Sequence, residues 1–358
     1  MIRVALIGYG YAGRTFHAPL IRATPGLDLA IVNSRDERKV HADIADVRVV
    51  SSPADAFASS VDLVVIATPN DTHAPLADAA LRAGKHVVVD KPFALTLDEA
   101  RDLFMVAEDA NRLLTVFQNR RWDGDFLALK DLLQDSVLGR VTHFESHFDR
   151  HRPQVRARWR EQAGVGSGLW YDLGPHLVDQ SLQLFGIPER VSANLAALRA
   201  GAKTDDWAHV VLDYAGLRAV LHASLIAAAP PPRFIVHGER GSWVKYGVDA
   251  QERQLLAALQ SSGADTAASA QPERERAVRV DGATGEEQET PIPKGQYAAF
   301  YAQVRDALNG AGPNPVPKPQ ALAVTAVVEA AVRSSGDRCA ATVALTDSEV
   351  RAFESSLG

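Results

Sequence analysis

The sequence predicts a two-domain protein: a doubly wound α/β domain over residues 1–119, then an α+β domain over 120–358 on a large, mainly antiparallel open sheet. Three observations carry this. Up to Phe117, short continuous apolar runs alternate with helical stretches, the pattern of a parallel sheet buried on both faces. Beyond Asp123, several stretches alternate apolar and polar residues with period two, as strands with one solvated face do. And 358 residues suffice for two hydrophobic cores.

The first element, the run from Val4 to Gly8, is too brief for a helix and leads straight into Gly8-Tyr9-Gly10-Tyr11-Ala12-Gly13, a G-x-G-x-x-G. Gly8 permits the tight turn, Gly10 lets backbone approach a pyrophosphate, and Gly13 allows close helix–strand packing. The phosphates would lie at a helix N-terminus, where free N–H groups and the helix dipole favour anions. A strand before and a helical stretch after make this a dinucleotide site, with Tyr9, Tyr11 and Ala12 as its intervening residues. Leu27 to Val32 is the second strand, and its tip normally separates NAD from NADP. The tip holds Ser34 and Arg35, with Arg38 and Lys39 nearby, and this favours NADP, since guanidinium pairs well with a 2′-phosphate. Asp36 and Glu37 follow the tip and read as the solvated start of a helix.

Val47 to Val50 and Asp62 to Ala67 are the next strands; the latter ends in Thr68-Pro69-Asn70-Asp71-Thr72-His73. A helix from Ala74 to Ala83 closes on Gly84, and a strand then delivers Asp90-Lys91-Pro92 to the sheet edge where such folds bind ligands. A lysine there is commonly just solvated, but one before proline has a restricted backbone. A helix over Leu97 to Asn111 and a strand over Leu113 to Phe117 complete the domain.

The second domain opens with Asn119-Arg120-Arg121-Trp122-Asp123 and a helix from Gly124 to Gln134. Strands are expected at Val141 to Asp149, Val191 to Ala197, Ala208 to Tyr214, Arg218 to Leu225 and Arg233 to His237. His143, Glu145, His147 and Asp149 share one strand face; a polar face or substrate rim explains them more simply than ligands, and no metal is expected. Pro175 fits a helix only in its first turn, so the helix over Leu177 to Phe185 should start near Asp172. The four-residue offset then stacks Asp172 and His176. That pair serves as a cap and a helix-start histidine, or as a carboxylate orienting a general base. Gln260 to Gln288 lacks periodicity and reads as a surface loop or flap; Ala311 to Pro319 is a Pro-rich connector; Leu322 to Arg333 is an amphipathic helix expected to pack near the first domain.

Composition narrows the rest. A net charge of −6 argues against a nucleic-acid surface. The single Cys339 excludes an intramolecular disulfide and fits a reducing compartment. No basic-plus-apolar segment precedes the first strand and no run approaches a membrane span, so a soluble, cytoplasmic protein without membrane partners is expected.

Taken together, the Gly8–Gly13 loop, TPNDTH at Thr68 to His73, AGKHVVVDKP at Ala83 to Pro92 and the Asp172…His176 helix resemble the glucose–fructose oxidoreductase/inositol dehydrogenase (Gfo/Idh/MocA) family. GYGYAGRTFHAPLI, NRRWDGDF, ARWRE and YDLGPHLVDQ are similar to its NADP-dependent scyllo-inositol dehydrogenase-like members. The resemblance implies a Rossmann domain, and a sheet domain whose open face forms a homodimer or homotetramer interface. It implies a cyclitol or sugar substrate whose secondary hydroxyl and ketone interconvert by hydride transfer with NADP(H). It assigns Lys91 to the reacting hydroxyl, His176 to its proton, Asp172 to holding substrate and histidine, and Thr68, Pro69, Asn70 and His73 to the nicotinamide side. Asp90 stands where the commoner motif has Glu, so cofactor contacts at that carboxylate should differ. Arg121, Trp122, Arg152, Trp159 and Tyr171 are expected in the substrate pocket. Two other readings share the scaffold: a non-catalytic dinucleotide-binding regulator, which has no need of Lys91, Asp172 and His176 together, and a reductase of a biliverdin- or dihydrodiol-type substrate.

Overall fold

The computed structural model describes residues 1–229, 231–261 and 275–357. The chain divides into two compact units, and neither is contiguous. The first comprises Met1–Trp122, the described part of Ala250–Gln271, and Gln296–Ala321; the second comprises Asp123–Asp249, the described part of Pro272–Gly295, and the described residues from Leu322 onward. A single boundary at 119/120, as read from the pattern, therefore misses two late returns to the first unit.

The first unit is built on β1 (Ile2–Ile7), β2 (Leu27–Asn33), β3 (Arg48–Val50), β4 (Leu63–Ile66), β5 (His86–Val89) and β6 (Leu114–Val116). All pair in parallel, in the order β3-β2-β1-β4-β5-β6. The order reverses between β1 and β4, the switch point at which such sheets bind ligands. Continuous apolar runs are needed because both faces are covered: Val4 to Ile7 and Leu63 to Ile66 are fully buried. Helices Gln251–Ser261 and Ala298–Leu308 belong to this unit. The first is held by Gln251, whose amide nitrogen donates to the Trp122 carbonyl (3.1 Å) and whose oxygen accepts from Tyr297 N (2.7 Å). The Pro-rich connector is anchored along β6, where Asn314 Nδ2 donates to the Leu114 carbonyl (2.9 Å) and Val316 is fully buried.

The second unit carries β7 (Val141–Asp149), β8 (Arg190–Ala196), β9 (Trp207–Tyr214), β10 (Leu217–Ser224), β11 (Phe234–Gly238), β12 (Gly241–Tyr246), β13 (Arg276–Asp281) and β14 (Glu287–Thr290). Their order is β14-β13-β12-β11-β7-β10-β9-β8, antiparallel except for the β7–β10 pair. One face is core: Phe144, Phe148, Val210, Leu212, Leu221, Phe234 and Trp243 cluster with Leu173, Leu177, Val178 and Leu182 of helix Leu169–Phe185. The amphipathic helix expected over 322–333 runs Lys318–Asp337, and Ala323, Val324, Val327 and Val328 lie in this second core. The expected loop over Gln260 to Gln288 is corrected in its described part. Residues 276–290 form the β13–β14 hairpin that extends the sheet, while 262–274 lie outside the described residues. The alternation there is muted because β14 is mostly exposed and carries no apolar residue.

Candidate active site

The glycine loop of the first unit has the geometry its spacing requires. Gly8 has φ +96°, and a Cβ there would meet the Ala67 carbonyl oxygen at 2.6 Å. A Cβ on Gly13 would collide with the Gly8 carbonyl, whereas at Gly10 it would meet open space. The backbone at Gly10 is thus accessible to a ligand, and the structure fits a dinucleotide pyrophosphate there. Tyr9 is buried, so only its backbone can serve the loop; its hydroxyl donates to Asp43 (3.1 Å), which also holds Arg14 (2.6 Å). Tyr11 is exposed and donates to Glu252 (2.6 Å), and Ala12 opens the helix.

At the β2 tip, Asp36 caps helix Glu37–Asp43 by accepting from Lys39 N (3.1 Å), as its place after the tip suggests. Ser34 Oγ accepts from Asp36 N (3.1 Å), and Lys39 Nζ donates to the Tyr9 carbonyl (3.0 Å). Arg35 is exposed, with no side-chain hydrogen bond or ion pair among the described residues. It is a cation available to a 2′-phosphate.

Behind the loop the chain makes a π-turn over Gly13–His17, with Ala18 N donating to the Gly13 carbonyl. That turn delivers His17, fully buried, between Tyr301 and Asp90: its Nδ1 lies 2.6 Å from the Tyr301 hydroxyl and its Nε2 3.7 Å from Asp90 Oδ1. Asp90 Oδ1 accepts from the Lys91 backbone N–H (2.9 Å), and the Lys91–Pro92 peptide is cis. Burial alone would raise the Asp90 carboxyl; His17, Lys91 and His73 override it and hold the group below the ordinary aspartate value. His73 is fully buried, its ring nitrogens 2.7 Å from the Pro92 carbonyl and 2.9 Å from that of Thr68. It braces the loop after β4 against the segment after β5, and burial lowers its pKa against the pull of Asp90 and the two carbonyls. Thr68 accepts from the Thr72 hydroxyl (2.6 Å), Pro69 precedes the turn Asn70–Thr72, and Asn70 is buried. Sequence reasoning missed His17 and Tyr301, because a histidine inside a helix carries no signal of its partner 284 residues away.

Of the expected pocket residues, two belong to this unit. Arg121 donates to the Pro315 carbonyl (3.1 Å) and Gln320 Oε1 (2.6 Å), and Trp122 meets Phe300 edge-on at 5.7 Å.

Asp172 and His176 lie one turn apart on helix Leu169–Phe185 of the second unit, with Asp172 partly exposed and His176 buried. That helix begins three residues earlier than expected, so Pro175 is inside it rather than in its first turn. The reason is Asp205, which comes from the β8–β9 connection: its carbonyl accepts from Leu169 N (2.9 Å) and its carboxylate from Trp170 N (2.7 Å). The N-cap itself is Gly168 at φ +96°, where any side chain would strike the Asp205 carboxylate. Asp172 Oδ1 pairs with Arg160 Nε (3.4 Å), whose guanidinium stacks on Trp159 at 4.3 Å. Tyr171 packs half-buried against the core, and Arg152 is half-buried in the segment after β7.

The polar face of β7 is held by contacts between its own histidines and carboxylates. Glu145 takes His143 Nε2 and His147 Nε2, each at 2.7 Å, and Asp149 lies 3.5 Å from both His147 and His222. Among the described residues, no group of three such side chains is arranged to hold a metal ion.

Comparison with known proteins agrees with this architecture. Residues 2–118 match the oxidoreductase family with NAD-binding Rossmann fold, and 126–244 match the GFO/IDH/MocA C-terminal domain. The uncharacterized oxidoreductase YdgJ of Escherichia coli (strain K12) is 54% identical, across 94% of this chain and 97% of its own. The scyllo-inositol 2-dehydrogenase (NADP(+)) IolW of Bacillus subtilis (strain 168) is 34% identical, across 94% of each. A solved structure from Klebsiella pneumoniae superposes with a TM-score of 0.90 at 50% identity, covering 100% of this chain and 99% of that one. The chain belongs to the GFO/IDH/MocA family and is an oxidoreductase with an NAD(P)-binding Rossmann fold. Among the described residues, no helix is long and apolar enough to cross a membrane.

Proposed function

We propose that this oxidoreductase interconverts a secondary hydroxyl and a ketone of a cyclitol or sugar with NADP(H), in the cytoplasm, as a homodimer or homotetramer assembled through the open face of its second sheet. The observation that carries the reading is the presence of Lys91, Asp172 and His176 in a chain 34% identical, over 94% of its length, to a scyllo-inositol 2-dehydrogenase (NADP(+)). A regulator would need none of these side chains for binding dinucleotide.

The Gly8–Gly13 backbone would hold the pyrophosphate, and Ser34, Arg35 and Lys39 the 2′-phosphate end, which is why NADP is favoured over NAD. Thr68, Pro69 and Asn70 would border the nicotinamide, with His73 bracing them from behind. When bound, the cofactor supplies the acceptor for the hydride. Lys91 binds the reacting hydroxyl oxygen and stabilises charge that gathers on it; His176 takes the hydroxyl proton; Asp172 helps to hold substrate and histidine. Asp90 fixes the Lys91 backbone through its 2.9 Å bond.

The test is the initial rate of NADP⁺ and NAD⁺ reduction across inositols, aldoses and other polyols, together with their uronates and phosphates. One compound should give a clear rate, faster with NADP⁺, and Lys91→Ala or His176→Ala should each lower it by about 100-fold or more while cofactor binding survives. Cofactor binding with silence across the panel would defeat the dehydrogenase reading.

A further inference from the structure

Between β7 and helix Leu169–Phe185 the chain carries Arg150, Arg152, Arg156, Arg158 and Arg160 within eleven residues. The backbone there is firmly held. Arg150 N and Arg152 N donate to the carbonyls of Ser224 (2.8 Å) and Leu225 (2.6 Å), and Gly168 N donates to the Arg160 carbonyl (2.9 Å). Buried Arg199 reaches under the segment to the carbonyls of Arg152 (2.9 Å) and Gln154 (3.1 Å). Its own charge is answered by Glu161 and Asp206, each at 2.9 Å. Glu161 also takes Arg158 (2.6 Å), and Asp172 takes Arg160 (3.4 Å). Glu161, Asp206 and Asp172 thus answer Arg199, Arg158 and Arg160, and three arginines remain. The side chains of Arg150, Arg152 and Arg156 have no hydrogen bond or ion pair among the described residues.

Arg152 is the telling one. It is half-buried, so water screens its charge poorly, and its neighbours Arg150, Arg156 and Arg158 repel it. Burial first, then those three cations, push its pKa down to about 10, with Asp172 the opposing charge. A guanidinium partly withdrawn from water and crowded by like charges is an unfavourable arrangement that a bound anion relieves. Asp172, the carboxylate that the proposed reaction places at the substrate, is within electrostatic reach.

We propose that the substrate carries an anionic group, a carboxylate or a phosphate, received by Arg152 with Arg150 and Arg156 beside the Asp172–His176 turn. This rests on the reading of Asp172 and His176 as substrate-facing, and it narrows the class from neutral polyols to sugar acids or sugar and cyclitol phosphates. The planar fork of arginine suits both groups, so the geometry selects charge and the compounds must distinguish the two.

The experiment has two arms on the full chain. In the first, kcat/KM with NADP⁺ is measured for matched neutral and anionic compounds: an inositol against its monophosphate, an aldose against its uronate and its phosphate. The anionic member should be preferred, and Arg152→Gln should shrink the anionic-to-neutral ratio by about 10–100-fold, with Arg152→Lys in between. A ratio unchanged by Arg152→Gln overturns the proposal. In the second arm, calorimetry on the protein saturated with NADP⁺ follows binding of glucuronate and of inorganic phosphate. Binding lost in Arg152→Gln supports the site even if no compound is oxidised, an outcome that would sink the dehydrogenase reading alone. Absence of binding in the wild type, or equal binding in the variant, overturns the anion site.

Discussion

At the scale of the residue, His17 shows how a buried side chain can be indispensable without being visible in the pattern. The Tyr301 hydroxyl, 2.6 Å from His17 Nδ1, keeps its proton, because burial raises its pKa well above the ordinary phenol value. The other ring nitrogen, Nε2, faces Asp90 Oδ1 at 3.7 Å. Deleting the ring leaves a buried carboxylate without its neighbour, so His17→Leu should cost about 2–3 kcal/mol in denaturant unfolding. His17→Gln, which can still place an N–H near the carboxylate, should recover part of that. Equal losses in both variants would show that ring packing against Phe117, at 4.3 Å, is what matters. Gly8 and Gly13 were legible because a Cβ at either would strike backbone; His17 was not, because its role depends on Tyr301 and Asp90, which only the fold brings to it.

At the scale of the element, helix Leu169–Phe185 shows why a proline rule misplaced a helix start. The rule concerns intrahelical hydrogen bonds, whereas here the first turn is completed from outside by Asp205, and the cost of Pro175 is absorbed inside a buried helix. Gly174 is needed one residue earlier, where a Cβ would meet the Trp170 ring at 2.7 Å. The capping carboxylate is itself titratable: burial raises Asp205 from 3.8 to about 6, against the pull of the Trp170 and Leu169 N–H groups. Because its folded pKa lies above the unfolded one, its contribution is complete below about 3.8 and is lost as pH rises through about 6. Asp205→Asn keeps an oxygen for Trp170 N and has no proton to lose. Its stability relative to the wild type should therefore rise between about pH 4 and pH 7, by on the order of 2–3 kcal/mol. Chemical denaturation at the two pH values measures this, and a difference independent of pH would show that Asp205 stays charged throughout.

At the scale of the whole molecule, the sheet-forming patterns through His237 were readable because each strand carries its own periodicity. The returns of the described part of 250–271 and of 296–321 to the first unit were not, since membership of a unit is set by tertiary contacts rather than by local pattern. Both units also rely on paired carboxylates. Burial would raise Asp43 and Glu161, but Arg14 and Tyr9 hold Asp43 below its ordinary value, while the Arg156 N–H, Arg158 and Arg199 do so for Glu161. A lowered folded pKa gives stability that is present above the unfolded value, 3.8 for Asp43 and 4.5 for Glu161, and is lost as pH falls through the folded one. Each unit should thus have its own acid-labile bond. Asp43→Asn in the first unit and Glu161→Gln in the second should each lower the unfolding temperature at pH 7, and each deficit should narrow as the pH is taken below about 4. Scanning calorimetry of the two variants beside the wild type reads both deficits. A gap that stays constant into acid for either variant would mean that its carboxylate contributes through packing rather than charge in that unit.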